Sequence, residues 1–229
     1  MSPYVLGAIL GVLVLARVVI AVAPVAVSDD KQRGIIREYL DAFIIAGVVA
    51  LVLMHFIVRT FWIPSASMEP TLKINDVLLA NEIEYRLGAP QDGQVAVFAP
   101  PPQLGQTDFI KRVMAAPGDT LRIHNGIVYR NGKALSEPYL PAGQRPNYEL
   151  AVKNYTIVVD NVPLDAQASV PPKGLWQSPD RVPNGYYIML GDNRNDSDDS
   201  HLWGFLARDQ FVGHAFMLFW PPQHARIIR

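Results

Sequence analysis

The pattern of apolar and polar positions divides the chain near residue 62. Residues 3–27 are apolar apart from Arg17 and a few small polar residues, and "AFIIAGVVALVLMHFIV" (42–58) has only His55 as a polar interruption. Coiled as helices, both runs reach the length that spans the roughly 30 Å hydrocarbon core of a bilayer. The pattern predicts transmembrane helices over about 3–27 and 42–60. No Lys or Arg precedes the first run, and Pro24 follows its one "AVA" site. Both features favour a retained anchor over a cleaved signal peptide. The connecting loop, 28–41, carries Lys31, Arg33 and Arg37. By the positive-inside rule it is cytoplasmic, and everything after residue 62 lies outside. The aromatic pair Phe61–Trp62 suits the interfacial belt.

From Ile74 onward the periodicity changes. "VLLANEIEY", "QVAVFAP", "DFIKRVMA", "YYIML" and "GHAFMLFW" are short β-branched and aromatic runs bounded by Gly, Pro, Asn and Asp, which is the signature of strands. In "LRIHNGIVYRNGKAL", Asn125-Gly126 and Asn131-Gly132 separate apolar runs and predict two tight hairpins. No amphipathic helix of ten or more residues is expected beyond Trp62. Residues 136–182 have the least pattern and read as an irregular insertion. The expected fold is mainly β: an antiparallel sheet or partial barrel over 63–229, carried on a two-helix anchor over 1–62.

Charged residues make up 18% of the 229, below the roughly 25% of soluble proteins, and the shortfall is not spread evenly along the chain. Beyond residue 62 there are 15 Lys and Arg against 17 Asp and Glu. Nothing there suggests a nucleic-acid partner. The absence of cysteine excludes disulfides, thiolate metal sites and a thiol nucleophile.

Three stretches carry candidate chemistry. Lys111 and Arg112 sit together in the predicted strand "DFIKRVMA". Period-two alternation puts one of them on an apolar face. A desolvated lysine loses proton affinity and can serve as a general base; the plainer alternative is that both cations snorkel at a sheet edge. Ser65 and Ser67 lie between Pro64 and Pro70. Residues before proline favour extended backbone, which would point both hydroxyls one way, one to attack a carbonyl and the other to donate to its oxyanion. None of the five histidines has a triad setting, so Lys111 is the better base. "GDNRNDSDDSHLWGF" (191–205) is aspartate-rich, but its spacing fails the calcium-loop pattern, and no metal or cofactor is expected. Trp203 and Phe205 should dock this loop onto the body; with Trp62 they are also candidates for leaning on lipid.

Together "PSASMEPTL" (64–72), "DFIKRVMAAPGD" (108–119) and "GDNRNDSDDSHLWGF" (191–205) resemble the bacterial type I signal peptidases, membrane-bound Ser/Lys endopeptidases that remove signal peptides from exported proteins. The resemblance implies Ser67 as nucleophile and Lys111 as its base, with the Ser65 hydroxyl and Ser67 N–H as oxyanion donors. It implies that Ser197 orients the lysine amine and that Asp192, Arg194 and Asp199 hold the loop. Ile63, Pro64, Met68, Phe109 and Ile110 would wall shallow pockets for small side chains, giving cleavage after Ala-x-Ala. Implied partners are pre-proteins, the lipid bilayer and the secretion translocon, at the outer face of a bacterial cytoplasmic membrane. Two positions depart from the family pattern: His201 replaces an arginine that commonly pairs with the nearby aspartate, and Asn195-Asp196 reverses the more usual Asp-Asn order. Eight residues separate Arg59 from Ser67, at most about 28 Å of chain, so the nucleophile is expected close to the membrane surface. The contrasting reading is a catalytically silent, membrane-tethered β module that binds extended peptides; the intact Ser65, Ser67, Lys111 and Ser197 argue against it.

Overall fold

A computed structural model describes residues 3–22, 30–164 and 171–228. It divides into two units, Met1–Arg59 and Thr60–Arg229. In the first, helices α1 (Pro3–Val22) and α2 (Asp30–Phe56) pack together, and Arg17 bonds Asp41 at 2.7 Å. Among the described residues no helix is long and apolar enough to cross a membrane. Residues 23–27 of the first expected span, and 28–29 of the expected loop, lie outside the described residues. From Asp30 that loop is helical instead. Its Lys, Arg, Gln and Glu residues are adequate helix formers, and with no proline among them α2 runs unbroken into the apolar run. The second helix also ends at Phe56 rather than near 60, because Val58–Trp62 forms strand β1.

The second unit holds two antiparallel sheets. The remaining strands of the first are β2 (Val77–Asn81), β3 (Val95–Phe98), β4 (Phe109–Ala115), β11 (Tyr186–Leu190), β12 (Leu206–Ala207), β13 (Phe211–Trp220) and β14 (Arg226–Ile227). Their order is β1-β2-β13-β3-β4-β11-β12, with β14 on β13. The second comprises β5 (Leu121–His124), β6 (Ile127–Arg130), β7 (Lys133–Ala134), β8 (Leu150–Lys153), β9 (Thr156–Val159) and β10 (Val162–Pro163), ordered β10-β9-β8-β5-β6-β7. The fold is thus mainly antiparallel β, as expected. Both Asn-Gly pairs close hairpins, β5–β6 and β6–β7, with positive φ at all four residues, the conformation that a type I′ turn requires.

Two expectations need correction. The string "VLLANEIEY" is strand only to Asn81; Glu82–Leu87 is helix α3, whose amides at Ile83 and Glu84 are capped by the Asn81 side chain. The period-two reading missed a helix start written as Asn followed by acidic first-turn residues. The insertion over 136–182 is also less irregular than expected. Its residues 150–163 form the β8–β9–β10 meander, while 165–170 lie outside the described residues. Leu150, Val152 and Ile157 give it a buried face, packed with Ile123, Val128 and Phe205.

Strand β3 is buried along its whole length, as a short continuous apolar run in mid-sheet should be. It pairs with β4 in a register that sets Ala96 opposite Lys111 and Val95 opposite Arg112. Both cations are therefore drawn into the sheet interior, at 4% and 1% exposure. The edge-snorkelling alternative is excluded.

Candidate active site

The segment after β1 delivers the two serines. Ile63 is tied to the chain beyond by Ile63 N–H to Asp76 O and Asn75 N–H to Ile63 O, both 2.9 Å. Met68 and Leu72 sink into the core beside Leu78 and Leu218. The extended backbone expected through Glu69 stops at Pro64. Residues 65 and 66 bend and 67–71 turn, fixed by Glu69 N–H to Ala66 O and Leu72 N–H to Met68 O, each 2.9 Å. The serines nevertheless share one side: Ser65 Oγ donates to Ser67 Oγ at 3.3 Å. A bend, rather than strand alternation, brings them together.

Strand β4 brings Lys111 to the same point, where Nζ donates to Ser67 Oγ at 2.6 Å. Burial holds the amine down at about 8, against the opposing pull of Asp199, Asp198 and Asp192, which favour its charged form. Such an amine is half deprotonated near pH 8, and its neutral form has a lone pair to accept a hydroxyl proton. The Phe109 ring lies 5.6 Å from Nζ.

The aspartate-rich loop forms the back of the site. Asn193 donates from its backbone to Ser67 O at 3.0 Å and from its side chain to Ala66 O at 3.2 Å. Gly191 makes this approach possible: a Cβ there would lie 2.5 Å from Ser67 O and 2.1 Å from Ser197 Oγ. Asp192 receives Arg112 Nε and Nη2 at 2.9 and 2.7 Å and Thr71 Oγ1 at 2.5 Å. Arg194 is held by Glu137 and by Gly191 O, its Nε 3.0 Å from the latter. Asp199 caps the short helix α4 (Ser200–Trp203), accepts Gly191 N–H at 2.8 Å and bonds His201 Nδ1 at 2.7 Å. The His201 ring stacks on Tyr148 with centroids 4.5 Å apart. His201 therefore does contact Asp199. Trp203 and Phe205 are buried in the core, which docks the loop and leaves neither free to touch lipid; only Trp62 of that trio is exposed.

One cavity of about 370 Å³ is lined by Ile63, Pro64, Ser65, Ser67, Met68, Phe109, Ile110, Lys111 and Ser197, together with Ala66, Thr107, Asp108, Asp196 and Asp198. All five expected wall residues are therefore in it. Asp192, Arg194 and Asp199 are wholly buried behind it. The expected bond from Ser197 to the lysine amine is not formed; the buried Ser197 Oγ has no hydrogen-bond partner among the described residues. Arg112, Glu137, Thr71 and Asn193 were not anticipated. The signal for Arg112 was its place beside Lys111, but its partner lies 80 residues on. Among the described residues no group of three His, Asp or Glu side chains is arranged to hold a metal ion.

Known proteins resemble this chain over most of its length. The family model described as "Signal peptidase, peptidase S26" matches residues 36–220. A probable signal peptidase I-2 of Synechocystis sp. is 39% identical over 188 residues, covering 80% of this chain and 73% of that protein. Signal peptidase I of Leptolyngbya laminosa is 33% identical over 202 residues, 86% of this chain and 85% of that one. Signal peptidase IB of Staphylococcus aureus is 33% identical over 186 residues, 81% and 90% of the two chains. The chain that sets Lys111 against Ser67 in this cleft belongs to the signal peptidase family, peptidase S26.

Proposed function

We propose that Ser67 is the nucleophile and Lys111 its general base in hydrolysis of the bond that joins a signal peptide to an exported protein. The observation that carries this reading is the 2.6 Å hydrogen bond between Lys111 Nζ and Ser67 Oγ, made by an amine that burial holds near neutrality. The neutral amine takes the hydroxyl proton as Ser67 Oγ bonds to the scissile carbonyl carbon. The Ser67 N–H and the Ser65 hydroxyl donate to the oxyanion. Collapse breaks the C–N bond, the lysine returns the proton to the leaving amine, and an acyl-serine remains. Water activated by the same amine then releases the signal peptide's new carboxylate.

The substrate lies extended along the 63–67 segment and β4, as a peptide does when it adds to a sheet edge. Ile63, Pro64, Met68, Phe109 and Ile110 present apolar walls, and a cavity of about 370 Å³ shared among several residues of substrate favours small side chains, hence Ala-x-Ala. Asp192, Arg194 and Asp199 keep the back loop in place, and Ser197 lines the same cleft as the amine.

The two helices anchor the enzyme in the membrane, with the β unit outside; the apolar runs within α1 and α2 and the Lys31, Arg33 and Arg37 cluster support this. The full chain should stay with membranes through alkaline carbonate extraction, and its release would refute the anchor.

The catalytic assignment is tested by cleavage of a pre-protein with Ser67→Ala and Lys111→Met. Each should fall at least about 10³-fold while remaining folded. Undiminished cleavage by either would remove that residue from the mechanism.

A further inference from the structure

Three of the residues lining the cleft are aspartates: Asp108, Asp196 and Asp198. The last two are exposed and the first is half-buried. The buried carboxylates nearby are already engaged, Asp192 by Arg112 and Asp199 by His201 and the amide of Gly191. The three rim carboxylates, in contrast, form no ion pair among the described residues. Between Asp196 and Asp198 lies Ser197, 7% exposed, a lining residue whose buried hydroxyl has no hydrogen-bond partner among the described residues. The wall between the two exposed carboxylates thus holds a buried polar group without a partner among the described residues.

The only cation among the lining residues is Lys111, and it acts as a base only as the neutral amine. In its reactive state the cleft therefore carries up to three uncompensated negative charges and no positive one. A peptide bound there brings its side chains past this rim, where a carboxylate is repelled and an ammonium or guanidinium is attracted.

We infer that Asp108, Asp196 and Asp198 are specificity-determining residues which favour substrates carrying cationic side chains beside the cleavage site and disfavour acidic ones. The effect is on the charge of flanking residues, outside the small-residue pockets. It acts mainly through capture of the peptide and so falls with salt. The inference rests on this cleft being the place of cleavage.

The experiment uses the full-length enzyme in detergent and an Ala-x-Ala peptide in which a single Lys, Gln or Glu is moved through the other residues flanking the cut. At the positions that meet the rim, kcat/KM should run Lys over Gln over Glu. The Lys-to-Glu ratio should be about tenfold at low salt, from three exposed charges of modest individual strength, and should shrink towards unity at high salt. In Asp198→Asn, and further in Asp196→Asn/Asp198→Asn, the ratio normalised to the Gln peptide should narrow. Equal rates for Lys and Glu at every position, or a ratio untouched by both variants, would overturn the inference. Loss of Gln-peptide cleavage in Ser67→Ala verifies the cleft independently. Survival of that cleavage would refute the proposed mechanism, a result distinct from a flat charge series.

Discussion

Arg112 grips Asp192 through both Nε and Nη2, with the two side chains at 1% and 0% exposure. The pair joins strand β4, one residue beyond Lys111, to the loop that hydrogen-bonds Ser67. Two desolvated charges satisfy each other, and the guanidinium plane also lies 3.8 Å from the centre of the Tyr139 ring. Removing one partner leaves the other charge buried alone, which costs roughly 3–5 kcal/mol. Arg112→Met should therefore lose stability on that scale in chemical denaturation. The double variant Arg112→Met/Asp192→Leu should recover much of it, because replacing a whole buried pair by apolar groups is often near neutral. Equal losses in the single and double variants would show that the pairing itself carries no such energy.

The same carboxylates shape the pH dependence of Lys111. Only the neutral amine can accept the serine proton, so kcat/KM should climb with pH along a limb centred near pH 8. Asp198 favours the charged amine, so Asp198→Asn should move that limb to lower pH. Stability follows with a definite sign. The folded amine titrates at about 8, below its ordinary 10.5. The native state thus binds fewer protons than the unfolded chain between these values. The stability of the lysine-bearing protein is highest above about 10.5 and declines as pH falls through 8. Lys111→Met should therefore gain on wild type between pH 10 and pH 7 in urea titrations. A difference that stays constant across that range would contradict a depressed amine.

Gly191 lies where the aspartate-rich loop passes close to Ser67. A methyl group there would press on the Ser67 carbonyl, which is backbone, as well as on Ser197. Gly191→Ala should displace Ser67 from Lys111 and lower kcat by about 10²-fold, the scale of a misplacement near 1 Å. Gly191→Ala/Ser197→Gly removes only the side-chain clash and should stay impaired. Full recovery in the double variant would mean that the approach to Ser67 is not what requires glycine.

Much of this arrangement was legible in the sequence because it is written locally. The Asn-Gly pairs announce their hairpins through the positive φ that they tolerate, and Lys111 stands out as a cation in an apolar strand. The two serines were legible as a pair, although for the wrong geometric reason: alternation was assumed where a bend at residues 65–66 does the work. What escaped is non-local. Arg112 has the same appearance as Lys111 until Asp192 arrives from across the sheet, and Glu137 gains its meaning only from Arg194, 57 residues later. Helix α3 was hidden for another reason. "NEIEY" satisfies strand alternation and a capped helix equally well, and only packing chooses, through the buried Tyr85 ring set edge-on to Phe211 at 5.5 Å.

Asp92 offers a test of the fold away from the cleft. Burial, and then the neighbouring Asp119, raise its carboxyl to about 6, and the pull of Arg130 at 3.3 Å does not offset them. The native state therefore holds a proton that the unfolded chain has released between about pH 4 and 6. Over that window stability falls as pH rises, and at neutral pH the ionised Asp92 is a net burden of roughly 1–3 kcal/mol. Asp92→Asn keeps the shape without the charge, so it should raise the denaturation midpoint at pH 7. The gain should disappear by about pH 4, where the wild-type carboxyl is already protonated in both states. A variant less stable than wild type at pH 7 would show instead that the ion pair with Arg130 outweighs the desolvation and the repulsion from Asp119.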